Sequence, residues 1–136
     1  MRYRRIFICL LFILLLVGCS SETTVFNYDY NKSVGSVEKI EIFECYAKAG
    51  IKRFLFEIEK EKNDTFLYDL SLIEFTRKSF SLFDPYSGSY LDGIYIVIYH
   101  YDGTIEKINA NYYSDEYGVS CSKEEFDNLI NKYTNN

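Results

Sequence analysis

Residues 94–103 read Ile94-Tyr95-Ile96-Val97-Ile98-Tyr99-His100-Tyr101-Asp102-Gly103, and no other stretch constrains the architecture as tightly. Every position from Ile94 to Tyr99 is apolar or aromatic, so a strand made from it has two apolar faces and belongs inside a sheet. Asp102-Gly103 follows with the residue pair that favours a two-residue reversal at positive φ. Thr104 to Tyr113 then returns as the partner strand, and the spacing predicts an antiparallel hairpin at the centre of the fold.

Upstream, Val37 to Tyr46 alternates as a strand with Ile40 and Ile42 on one face and Phe43 and Cys45 on the other, ending before Ala49-Gly50. The next segment places Phe54, Phe56 and Ile58 on one face against Arg53, Glu57, Glu59 and Glu61, with only Leu55 out of phase. Asn63-Asp64 supplies a helix cap, after which Phe66, Leu67, Leu70 and Ile73 recur at helical spacing, although Ile73 to Thr76 also reads as the start of a strand. Phe80, Leu82 and Phe83 form a short strand closed by Asp84-Pro85, and residues 86–93 are loop chemistry. Downstream, Ser122-Lys123-Glu124-Glu125 is a capping box, and Phe126, Leu129, Ile130 and Tyr133 lay an apolar stripe along the final helix. The order β-β-α-β-β-β-α predicts an α+β fold: a mostly antiparallel sheet of about five strands with two helices on one face.

The N-terminus carries an address. Arg2, Arg4 and Arg5 precede an apolar run from Ile6 to Val17, which stops at Gly18-Cys19 before a polar stretch. Such a run makes a helix of about 18 Å, too short for a hydrocarbon core of about 30 Å. A basic segment followed by a short apolar one is the pattern of a signal peptide. Leu16-Val17-Gly18-Cys19 resembles the lipobox of bacterial lipoproteins, a resemblance confined to Met1 to about Ser21. It implies cleavage before Cys19 and lipidation of its sulfur, with palmitate-type acyl chains holding the protein to the extracytoplasmic face of a membrane. That face is an outer leaflet or a periplasmic side, depending on the envelope. The expected organisation is a signal peptide over 1–18, a flexible tether over 19–36 and a globular domain over 37–136. A strand through Val25, Phe26, Tyr28 and Tyr30 is the alternative for the tether.

The segment from Tyr101-Asp102-Gly103 through Cys121-Ser122-Lys123-Glu124-Glu125-Phe126 to Ile130 is similar to the hairpin-plus-helix ending of small lipoproteins of low-GC bacteria. That similarity covers about a third of the mature chain and implies a fold rather than an activity. Without residues 1–18 the chain keeps 12 Lys and Arg against 20 Asp and Glu. A net charge of −8 disfavours nucleic acid and anionic headgroups as partners and favours a cationic or neutral one.

Chemistry is sparse. One His and scattered Cys, without a phosphate-cradling loop, a nucleophile motif or metal-ligand spacing, lead to the expectation of no catalytic residue, no metal and no cofactor. His100 beside Asp102 reads as a structural strand-end residue, and the turn carboxylates lack the spacing of a calcium loop. Cys45 and Cys121 either bridge, which would close a loop of about 77 residues and contribute about 4.5 kcal/mol in the chain-entropy account, or remain two buried thiols. Tyrosine is the unusual component, at 14 of 136 residues. Tyr86, Tyr90, Tyr99 and Tyr101 are the candidate contact surface for a protein or glycan, because Tyr pairs a large ring with a polar tip. The expected function is a non-enzymatic binding or accessory lipoprotein. An inhibitor or immunity-type lipoprotein against a secreted enzyme or toxin is the first alternative, and a cell-envelope hydrolase the second.

Overall fold

A computed structural model describes residues 23–46, 49–78, 92–114 and 118–134. Two antiparallel sheets and a set of helices build the predicted α+β class. The larger sheet contains β2 (Val37–Tyr46), β3 (Ile51–Glu57), β5 (Gly93–His100), β6 (Ile105–Asn109) and β7 (Tyr112–Tyr113), in the order β3-β2-β5-β6-β7. Strand β5 is its middle member, as two apolar faces require. The smaller sheet joins β1 (Thr23–Asn27), β4 (Glu74–Lys78) and β8 (Val119–Cys121), in the order β1-β4-β8. Helices α1 (Tyr30–Ser33), α2 (Asn63–Ser71) and α3 (Lys123–Thr134) complete the layout.

One core binds these layers. Ile40, Ile42, Ile96, Ile98 and Ile108 from the larger sheet meet Phe66, Leu67 and Leu70 of α2, Phe126, Leu129 and Ile130 of α3, and Phe75 and Val119 of the smaller sheet. The β-branched residues suit strand backbones and fill the pleat without polar atoms. The smaller sheet and the two long helices thus lie against the same, inner face of the larger sheet. Polar contacts lock the helices together: the Lys132 ammonium and the Tyr133 hydroxyl each donate to Asp69 Oδ2 at 2.6 Å. Burial works against the Asp69 charge, but those two donors outweigh it and hold the carboxyl below its usual range. The final helix starts as expected, with the Glu125 amide donating to Ser122 Oγ at 3.3 Å.

Several expectations need correction. Residues 23–36 are not a tether, because β1 pairs with β4 over five positions from Thr23↔Lys78 to Asn27↔Glu74. The alternative strand through Val25 and Phe26 is the one that forms, at Thr23–Asn27, and backbone pairing rather than burial holds it, since only Phe26 is even half-buried. Asn27 Nδ2 adds bonds to the carbonyls of Ser71 and Ile73, both at 3.1 Å. Two sheets replace the single one because Phe75 to Lys78 continue as β4 beside β1 and β8 rather than at the edge of the larger sheet. Asn63 is the first residue of α2 and buried, not its cap. The strand expected at Phe80 to Phe83 lies outside the described residues.

Two local irregularities redirect side chains. Ile42 pairs with Phe56 and Phe43 with Phe54, so Leu55 is the extra residue of a β-bulge. Phe54 therefore turns to the outer face while Leu55 and Phe56 pack on the core, and the expected common face of Phe54, Phe56 and Ile58 is broken. The central hairpin turns over three residues instead of two. His100 N donates to the Thr104 carbonyl at 2.9 Å, the Gly103 amide returns to the His100 carbonyl at 3.0 Å, and only Gly103 takes positive φ, at 87°. The return strand also breaks at Ala110-Asn111, where Asn109 Oδ1 accepts the Asn111 amide at 3.0 Å and starts the short hairpin to β7.

Candidate functional site

The outer face of the larger sheet follows from the register. Cross-strand partners share a face, so Phe43↔Phe54 and Phe43↔Tyr95 place three rings side by side, and Cys45↔Lys52 and Val97↔Lys107 extend the same surface. Cys45, Tyr95 and Val97 form a second, smaller buried cluster there, with Phe43, Tyr99 and Tyr112 packed around it. No helical residue belongs to this cluster among the described residues. Phe54 is 52% exposed and Ile105, opposite Tyr99, 51%, so this face carries open apolar side chains.

A groove of about 270 Å³ opens in this face. Cys45, Tyr95 and Val97 make its floor, Tyr46 and Ile51 stand at the β2–β3 end, and Lys52 and Lys107 flank it. Lys52 Nζ lies 3.9 Å from the centre of the Phe43 ring, a cation–π contact, and makes no close ion pair among the described residues. Lys107 likewise makes no ion pair among the described residues. Lys39 differs, because it pairs with Glu41 at 2.9 Å while its ammonium also covers the Tyr99 ring at 4.4 Å. Burial, and then the bond to Glu41, push the Tyr99 phenol up. The face thus carries three lysines against Glu41 and Glu57, in a chain that is acidic as a whole.

A second cluster lies on the inner side, at the end of the central hairpin. His100, 9% exposed, is held between Ser36 Oγ, 3.1 Å from Nδ1, and Glu106 Oε1, 2.6 Å from Nε2. The Tyr113 hydroxyl donates to Glu106 Oε2 at 3.3 Å. A carboxylate only accepts, so this pairing assigns the ring proton to Nε2. Ser36 has one hydroxyl proton and two acceptors, His100 Nδ1 and the Ser33 carbonyl at 2.8 Å. The Tyr101 amide donates to the Ser36 carbonyl at 3.0 Å, so the same few residues fasten the α1–β2 turn to the hairpin. The line of hydroxyl, imidazole and carboxylate has the order of a nucleophile relay. Sequence reading passed over it because Ser36 and Glu106 stand 64 and 6 residues from the histidine and fit no motif.

The sequence-derived site residues disperse. Cys19, Tyr86 and Tyr90 lie outside the described residues. Tyr99 is on the outer face, but Tyr101 has left the strand for the turn, where it is 60% exposed, so the expected shared face of these two does not form. Cys45 and Cys121 are free thiols: Cys45 belongs to the outer cluster and Cys121 to the main core, on opposite sides of the larger sheet. Burial raises both thiol pKa values, Cys121 to about 11 with Glu125 and Asp127 adding to the effect, which keeps them protonated and weakly nucleophilic. Among the described residues no group of three or more His, Cys, Asp or Glu side chains is placed to hold a metal ion. Nor is any described helix long and apolar enough to cross a membrane. What sequence reading missed is the set Ile51, Lys52, Phe54 and Lys107, and its only available signal was the out-of-phase Leu55 that marks the bulge.

No protein-family model, curated protein or solved structure matches the chain.

Proposed function

We propose that this protein is a membrane-anchored, extracytoplasmic binding domain, without enzymatic activity, that works through the outer face of its larger sheet. The observation behind it is the one-sided packing: both long helices and the smaller sheet share the core of the inner face, and the outer face keeps exposed Phe54 and Ile105 beside half-buried Tyr99 and Tyr112. Rings of this kind supply contact area at small cost in side-chain entropy. The anchor rests on Leu16-Val17-Gly18-Cys19. Extraction into a phase-separating detergent tests it: the parent chain should partition with the detergent and Cys19→Ala should not. Equal partitioning, with both chains at full precursor mass, defeats the anchor.

The face is tested separately with a photo-crosslinking amino acid in intact cells. Placed at Phe54 it should trap an adduct, whereas at Tyr68, equally exposed at 52% but on α2, it should not. Equal yields at the two positions defeat the docking reading. The Ser36–His100–Glu106 line favours a second reading, a serine hydrolase. A fluorophosphonate probe that labels Ser36 would establish it, and the binding reading expects no label.

A further inference from the structure

We propose that the outer-face groove binds a single-chain aliphatic carboxylate, with the chain on Cys45, Tyr95 and Val97 and the carboxylate between Lys52 and Lys107. The proposal rests on the outer face being the working surface and adds the chemistry of what it takes. Size comes first. About 270 Å³ lies at the lower edge of the roughly 300–1,000 Å³ typical of small-molecule sites, enough for one alkyl chain and too little for a dinucleotide or a large cofactor. The floor comes second. Val97 is 2% exposed, Tyr95 3% and Cys45 9%, so the base of the groove is dry and offers dispersion contacts without a ladder of polar groups to read a sugar.

Charge is the third and deciding point. The chain is strongly acidic, yet among the described residues neither ammonium flanking this groove makes the close carboxylate ion pair that Lys39, Lys62, Lys123 and Lys132 make, and Glu41 acts on Lys52 only at longer range. Lys52 and Lys107 reach the groove from strands on opposite sides of the β2–β5 pair. Long stems allow each ammonium to stay at the rim while its methylenes cover apolar surface. An apolar slot with two ammoniums at its edge complements an amphiphile with an anionic head and disfavours the cationic equivalent. Lys, as a flexible point charge, suits a carboxylate held at a wet rim rather than a bidentate buried clamp.

The test uses the full-length protein in discs of zwitterionic lipid and a 12-carbon fatty acid bearing a diazirine near its chain end. The expected adducts fall on Cys45, Tyr46, Ile51 and Lys52 and within residues 93–107, are competed by laurate and are not competed by dodecyltrimethylammonium at equal concentration. Lys52→Glu with Lys107→Glu should lower labelling at least tenfold. Both side chains sit at the rim, so the double variant should stay folded despite losing the Lys52–Phe43 contact, and a cooperative melting curve measured alongside checks this. Labelling inside the groove that the cation competes equally, or that survives charge reversal in a folded variant, overturns the carboxylate assignment while the outer face stands as a docking surface. Labelling elsewhere or absent overturns the groove assignment altogether, and the Phe54 crosslinking result then judges the docking reading by itself.

Discussion

The two faces of the larger sheet are made from different chemistry on the same strands. Along β2 and β5 the inner positions include Ile40, Ile42, Ile96 and Ile98, all fully buried, while the outer positions include Lys39, Glu41, Phe43, Cys45, Tyr95, Val97 and Tyr99. Branched aliphatics have no polar atom to satisfy and suit an interior sealed by helices. Tyrosine and lysine have an apolar body and a polar end, and suit a surface that meets both water and something else. Strand alternation alone gives each face its own composition, so one face can hold the fold while the other is free to bind.

The largest effects should come from the sealed side. Phe66→Ala or Phe75→Ala, both fully buried, should cost about 3–5 kcal/mol by urea denaturation, from lost transfer free energy and the cavity left behind. Losses below about 1 kcal/mol would mean that the inner face is not the main core. Next comes the polar tie at the edge of that core. Glu106→Gln should cost about 1–3 kcal/mol, because it takes the charged acceptor from the buried His100. Ser36→Ala should cost less, since Ser36 is half-buried and water can replace its hydroxyl. If Ser36→Ala is the more damaging of the two, the ring does not take its orientation from the carboxylate.

A smaller effect belongs to the contact between α2 and α3. Asp69→Asn should cost about 1 kcal/mol at neutral pH, through its bonds to Lys132 and Tyr133. The folded carboxyl lies below its usual range, so this contribution is complete above the unfolded pKa, about 3.9, and disappears as pH falls through the folded value. The gap between parent and variant should therefore close below about pH 4. A gap that persists at pH 2 would assign the loss to packing rather than charge. The smallest effect is expected on the outer face, where Phe54→Ser should change stability by no more than about 0.5 kcal/mol. A loss near that of Phe66→Ala would make this face a second core and remove the contrast.

Much of the inner face was legible in the sequence. Two apolar faces put Ile94 to Tyr99 at the middle of the sheet, and the stripe Phe126, Leu129, Ile130 and Tyr133 gave the final helix its buried side. Local periodicity carries both, and these elements obey it. The outer site was harder to see because it depends on register. A single extra residue, Leu55, sends Phe54 out and Phe56 in, and alternation counted along the chain cannot show which side of a bulge a ring will take. Strand β1 was legible only as the alternative to a tether, since its order comes from pairing with β4, whose residues are about 50 positions away. The line from Ser36 through His100 to Glu106 joins a turn to a hairpin and has no local pattern at all.

Isoleucine δ-methyl NMR on the full-length protein in zwitterionic discs tests the division of labour most directly, because isoleucines stand on both faces. On titration with laurate the account predicts that Ile51, beside the groove, and Ile105, next to Lys107 on the outer face, shift in proportion to occupancy. Ile40, Ile42, Ile96, Ile98 and Ile108 should keep their positions. Shifts confined to the five inner methyls, or no shift at Ile51 at saturating laurate, would contradict it.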